Sequence, residues 1–470
     1  MNRGFTSPAV LLSGILVVFL CSPTAPARAE PADWIVTARY VVTMDPARRV
    51  IENGAVAIRG ARIAGVGAKK EIEQRFQARR RLDRPEALLA PGLVNTHTHA
   101  PMSLFRGIAD DLRLQDWLEK YIFPAEAKNV SPEFVRWGTR LAALEMLLSG
   151  TTTFTDMYYF EEVVGEVARE AGLRGVLGET ILRFPSPDSK TPEEALKRTE
   201  AFILRFRGDE LVTPAVAPHA IYTNTDESLK QSRALANRHS VPLLTHLSET
   251  KREVEETQAA RGVSPVKALA ALGVFDGRTV AAHCVWVDAE DRRILREKRV
   301  GCAHCPSSNM KLASGVAPIP ALLAEGINVG LGPDGPAGSN NDFWMFEEMD
   351  LAAKLQKVIT GDPTVLPAEK AFEMATLGGA RVLGMQEEIG SLEIGKRADL
   401  ITIRLDRAHA VPLYNLYSQM VYALKGSDVW DVFVNGRLVV QGRKVLTLNA
   451  ATIYQKAEEM SRRVRESLKP

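Results

Sequence analysis

Eight short β-rich runs recur through the middle of the chain, at residues 93–96, 151–157, 175–181, 211–218, 242–247, 278–285, 300–304 and 328–332. Helical stretches separate them. One spans 131–149, with Ser131 as N-cap, Pro132 at the first helical position and Gly150 just past the end. Another starts in the same way at Ser264-Pro265, and the last run is followed by a helix over 343–358. Eight strands, each followed by a helix, is the arithmetic of a (β/α)8 barrel within an α/β chain. A doubly wound open sheet would need a G-x-G-x-x-G turn after an early strand, and none stands there. Two β-patterned segments flank the barrel, at 34–66 and 396–445, with turn signals at Asp45-Pro46 and Asn435-Gly436. They predict a small β-sandwich built from both ends of the chain. The expected order is a leader over 1–29, sandwich over 30–90, barrel over 91–390, sandwich again over 391–448 and a closing helix over 449–470.

The leader reads as a secretory signal. Arg3 gives a positive start, residues 10–20 form an apolar run too short to span a bilayer comfortably, and Ala27-Arg28-Ala29 is a cleavage site. Cleavage near Ala29 predicts an exported, periplasmic protein with no membrane span in the mature chain. The whole chain has 59 basic and 57 acidic residues, and losing Arg3 and Arg28 balances them. That leaves no basic excess to attract a phosphate backbone, so a nucleic-acid partner is excluded and a small-molecule substrate expected. Of four cysteines, Cys21 leaves with the leader. Cys302 and Cys305 stand three apart in a strand-like run, hence on opposite faces, and read as buried structural thiols over a redox or metal pair; with Cys284 the count is odd, which leaves at least one free thiol.

Six of eight histidines fall at or just after strand ends: His97, His99, His219, His246, His283 and His304. In a barrel those ends converge on one rim. His97-Thr98-His99 points two imidazoles to one side of a strand, spaced to share a metal. His246 suits a third ligand, and Glu249 in the same H-L-S-E turn can lean over an open metal position. Asp334 in GLGPDGP supplies an anionic ligand, and His283 is placed to orient or deprotonate a water. Three histidines and one aspartate suit zinc, or Fe2+, and such an ion brings the pKa of a bound water down from 15.7 to about 7.

PGLVNTHTH, APHAIY, HLSET, AHC, PSSNMKLASG and GPDGPAGSNNDFWMFEEM follow one another in order, and GSLEIGKRADL comes after them. This set resembles the amidohydrolase superfamily, in its branch of aromatic deaminases and triazine hydrolases. The resemblance implies one divalent metal on His97, His99, His246 and Asp334. Catalytic roles are implied for Glu249, His283 and Asp334, and substrate contacts for Glu126, His219 and Arg183. Relatives with two metals carry a carboxylated lysine at the end of strand four, where this chain has His219. The implied activity is hydrolytic deamination of an aromatic amine, foremost the adenine of 5′-methylthioadenosine, S-adenosylhomocysteine or a related nucleoside. Triazine hydrolysis and guanine- or cytosine-type deamination are the alternatives on this scaffold, and a non-catalytic scaffold would have lost ligands that are all present. Homo-oligomers are common in the family. Pro333, Cys305 and Trp286 depart from its usual residues, which bears on pocket shape. Phe343 to Phe346 read as packing, and Arg79-Arg80-Arg81 as a solvated turn.

Overall fold

The computed structural model describes residues 1–7 and 29–469. Most of the expected leader, including its apolar run and Cys21, lies outside the described residues. The chain opens with strands β1 (Glu30–Val42), β2 (Val50–Arg59), β3 (Arg62–Ala68) and β4 (Phe76–Pro91). Then follow β5 (Leu93–Thr98), β6 (Thr151–Tyr158), β7 (Arg174–Ile181) and β8 (Val212–Pro218). Next come β9 (Leu243–Leu247), β10 (Thr279–His283), β11 (Gly301–His304) and β12 (Val329–Leu331). The last are β13 (Leu400–Arg404), β14 (Val429–Val434), β15 (Arg437–Gln441) and β16 (Lys444–Val445).

Strands β5 to β12 pair in parallel, in sequence order, and close on themselves where Leu331 meets Asn95. Helices cover the outside, so the strands are buried on both faces and read as near-continuous β-branched and apolar runs. In β6 all eight residues are buried, four of them threonines. The capped helix expected from Ser131 runs Pro132–Leu148, and Ser131 accepts the Phe134 N–H. The helix after β12 is Met345–Thr360. Strand β10 stops at His283, two residues before the expected end. His283 and Cys284 have φ of 74° and 49°, and this left-handed pair turns the chain off the sheet.

The two chain ends meet as expected, and their hydrogen bonds join all eight remaining strands into one continuous sheet in the order β16-β15-β14-β13-β4-β1-β2-β3. The sixteen-residue β4 makes it continuous, pairing in parallel with β1 and antiparallel with β13. Arg79, Arg80 and Arg81 therefore lie in a strand and not in a turn. Arg80 sits over the Trp34 ring and Arg81 pairs with Glu73, so the register of β1 and β4 holds this charged stretch extended. Asn435 and Gly436, both at positive φ, make the tight turn between β14 and β15.

Sheet and barrel are joined at Gly92, where a Cβ would fall 2.1 Å from Thr152 Oγ1. A buried ion pair braces the joint: Arg174 on β7 places Nε 3.0 Å from Asp399 Oδ2. The C-terminal helix, Ala450–Ser467, buries Ile453, Met460 and Val464 on one face. No helix among the described residues is long and apolar enough to cross a membrane.

Candidate metal centre and active site

A cavity opens at the C-terminal ends of the barrel strands. Its floor is the histidine cluster. The His97 and His99 rings, from β5 and the residue just beyond it, lie 4.9 Å apart and nearly perpendicular. His246 on β9 lies 4.9 Å from the His97 ring and stacks at 5.4 Å on that of His99. One ligand nitrogen from each of the three falls within 4.8 Å of the others. Asp334, just beyond β12, brings Oδ1 to 3.3 Å from Nε2 of both His97 and His99.

The far nitrogens are tied down. His99 Nδ1 donates to Met157 O at 2.7 Å, and His246 Nδ1 donates to His219 O at 2.8 Å. Each bond fixes the tautomer that leaves Nε2 as a lone pair facing its neighbours, as metal-binding imidazoles require. His97 Nε2 is buried without a hydrogen-bond partner, its approach to Asp334 lying outside hydrogen-bond geometry. Such an orphan is costly in an interior and is explained by a missing ligand. Ser308 Oγ and the Gly335 N–H donate to Asp334 at 2.7 Å each and aim its carboxylate. Three imidazoles and one carboxylate suit a divalent ion such as zinc.

Two further groups reach the same point. His283 Nδ1 donates to Asn309 Oδ1 at 2.9 Å, which turns Nε2 toward Glu249 Oε2 at 3.8 Å and Asp334 Oδ2 at 4.0 Å. Burial pushes the Glu249 carboxyl up from its ordinary value, and the nearby His283 pulls the other way. The turn bearing Glu249 is held by Glu253, which accepts the Ser248 and Glu249 N–H groups at 3.0 and 2.8 Å.

Glu126 lines the cavity from the helix Phe123–Asn129. Its oxygens accept from Tyr158 Oη at 2.7 Å and Tyr159 Oη at 3.3 Å. Burial raises its carboxyl to about 7, with Tyr158 pulling downward. His219 also lines the cavity, its ring 4.5 Å from that of His246, and burial holds it neutral, at about 3.

Ten residues are marked by sequence for this rim or for its substrate contacts, and eight of them meet there. His97, His99, His219, His246, Glu126, Glu249, His283 and Asp334 come together. His304 is buried with both ring nitrogens unpartnered and does not line the cavity. Arg183 is exposed and not among the lining residues. Its backbone N–H is fastened to Thr223 O, and the next residue, Phe184, packs on Phe123. The sequence reading passed over Tyr158, Tyr159, Glu253, Ser308 and Asn309. The two tyrosines follow the strand-end rule that exposed the histidines, and Ser308 and Asn309 lie in the PSSN motif. All three described cysteines are free and buried, with Cys305 near His97 and His283.

The amidohydrolase family profile matches residues 88–439. A protein of Syntrophus aciditrophicus named 5-methylthioadenosine/S-adenosylhomocysteine deaminase 1 is 49% identical over 440 residues, covering 94% of this chain and 99% of its own length. A 5-methylthioadenosine/S-adenosylhomocysteine deaminase of Thermodesulfovibrio yellowstonii is 46% identical, covering 92% and 99%. The crystal structure of an adenosine deaminase from Xanthomonas campestris with bound zinc superposes with a TM-score of 0.91 at 39% identity, covering 93% of this chain and all of that one. With the profile spanning most of the chain and relatives matched end to end, the chain belongs to the amidohydrolase family.

Proposed function

We propose that the protein is a metal-dependent hydrolytic deaminase acting on the adenine ring of a nucleoside, of the 5′-methylthioadenosine and S-adenosylhomocysteine class. The observation that carries this reading is one cavity with Glu249 and His283 at its metal-binding floor and Glu126 on its wall. The relatives' printed names support the substrate class.

His97, His99, His246 and Asp334 would hold the ion, for which we assign Zn2+, with Fe2+ the other candidate. When bound, the ion supplies Lewis acidity and a water of lowered pKa. Glu126 accepts hydrogen bonds from the ribose hydroxyls and sets the base toward the floor, with the His219 ring beside it. Glu249, whose carboxyl burial pushes up, donates a proton to the ring nitrogen next to the carbon that carries the amino group. The adding water loses a proton to His283 Nε2, whose other nitrogen is fixed on Asn309, with Asp334 sharing the load. That proton passes to the amine, which leaves as ammonia, and the proton left on the new hydroxyl returns to Glu249 as the product carbonyl forms. Acid–base help of this kind contributes about 10²–10⁴-fold.

Ammonia release by the purified, zinc-loaded protein tests the reading, with adenine nucleosides, free bases and melamine offered side by side. Release from the nucleosides is expected. Release from a free base or triazine alone would overturn the substrate class, and an inert protein that binds no metal would overturn the enzyme. The leader read at residues 1–29 supports a periplasmic location, and the N-terminal sequence of the protein recovered from that compartment tests it.

A further inference from the structure

The three buried thiols differ in what surrounds them. Cys284 and Cys302 are part of the main hydrophobic core, and among the described residues neither stands in a group of metal-ligating side chains. Free cysteine in such surroundings behaves as a small apolar side chain. Cys305 is buried as fully, at 0% exposure, yet lies outside that core. It follows the last residue of β11 and opens the turn into the helix Pro306–Lys311. Its sulfur falls within 4.8 Å of one ring nitrogen from His97 and one from His283, and those two lie within 4.8 Å of each other.

The polar atoms of this group are underused. The Cys305 thiol donates only to Ala303 O, at 3.7 Å, and S–H is a weak donor. The thiol makes no bond to the helix that begins beside it. His97 Nε2 is buried without a hydrogen-bond partner. Asn309 holds His283 Nδ1, which leaves Nε2 as the nitrogen with a free lone pair. A thiolate with two imidazoles is a softer donor set than the three imidazoles and carboxylate beside it, and His97 belongs to both sets. Soft donors select soft ions, and carboxylates suit harder ones.

We propose that Cys305, with His97 and His283, forms a second metal position under the cavity floor, which takes thiophilic ions such as Cd2+ and stops turnover by occupying His283. Ligation forms a sulfur–metal bond, and the thiol proton leaves to water. The ligation stands apart from the deaminase reading, and only its effect on turnover rests on it.

The test adds Cd2+ to the zinc-loaded full chain and reads the X-ray absorption fine structure at the cadmium edge together with ammonia release. Sulfur and imidazole are expected in the same cadmium shell, with loss of turnover. In Cys305→Ser the sulfur disappears and turnover without cadmium stays at the wild-type level. The cadmium concentration that halves turnover then rises at least about tenfold, since a ligand is gone. A wild-type shell without sulfur overturns the proposal, as does sulfur that persists in Cys305→Ser or a halving concentration that does not move. Should the variant fail to fold, the wild-type shell decides, because among the described residues the other two thiols stand in no group with histidine. A wild type inert toward every substrate is a different failure: it removes the deaminase reading and leaves the cadmium shell to decide the site.

Discussion

Deleting one phenol hydroxyl probes the end of the cavity assigned to the sugar. Tyr158 Oη donates to Glu126 Oε1 at 2.7 Å, with both side chains buried. Burial already lifts the Glu126 carboxyl to about 7, and the Tyr158 bond restrains that rise. A hydrogen bond to a charged group is worth about 1.5–3 kcal/mol, and one pKa unit corresponds to about 1.4 kcal/mol. Tyr158→Phe therefore raises the carboxyl by about one to two further units. Only the ionised form offers both oxygens as acceptors to a vicinal diol. At pH 7.5 the ionised fraction drops by about 3- to 25-fold, and kcat/KM drops with it through KM, with kcat nearly held. The sign follows from a group ionised only above its folded value. KM for a nucleoside falls as pH rises through about 7 in the wild type, and through about 8–9 in the variant. The assay is initial ammonia release across this range, on a ribonucleoside and its 2′,3′-dideoxy counterpart. A wild-type KM that stays flat through this window refutes the argument, as does an equal loss in the variant on the dideoxy substrate.

Glu249→Gln keeps its metal by elemental analysis and loses about 10²–10⁴-fold in turnover, because the group that protonates the ring is gone; near-normal turnover refutes that role. Asn309→Ala frees the His283 ring, whose Nδ1 it holds at 2.9 Å. It lowers kcat by about 10–100-fold with little change in KM, and an unaltered kcat would show that His283 needs no such partner. Asp399→Ala leaves Arg174 buried beside Gly92 without its partner. Urea unfolding should record a loss of about 3–5 kcal/mol, against less than about 1 kcal/mol if the joint between sheet and barrel carries no stability.

The barrel was legible because its signal repeats. Each strand is short, apolar and followed by a capped helix, so an error at one boundary, as at His283, does not disturb the count. The sheet was harder. In β4 the stretch FQARRRLDRPE shows no alternation of apolar residues, because its charged side chains find partners in Trp34, Glu73 and Asp431 on neighbouring elements. Only the pairing with β1 makes it a strand, and pairing over a separation of about 45 residues leaves no local mark. Glu126 and Arg183 illustrate the same divide at the site. Both came from resemblance alone. Glu126 lies on a helix face that turns it into the cavity, while Arg183 follows β7 by two residues and is exposed.

Strand alternation accounts for His97 and His99 but not for the groups that complete the site. Ser248, His283 and Asp334 have φ of 48°, 74° and 65°, a region that costs a residue with a Cβ about 1–2 kcal/mol. Ser248 immediately follows β9, His283 ends β10 and Asp334 lies three residues past β12, where the chain must leave the sheet while a side chain still points at the floor. The surroundings hold all three in place. Glu253 accepts the N–H groups of Ser248 and Glu249, Asn309 takes the His283 ring, and the Asp334 N–H donates to His97 O at 3.2 Å. The aim of Glu249, His283 and Asp334 thus depends on backbone states that no periodicity encodes, fixed by residues from other turns of the same rim. Where the regular strand pattern ends, at three separate strands, the side chains assigned to proton transfer begin, and their supports are the residues that a motif search reads as spacing.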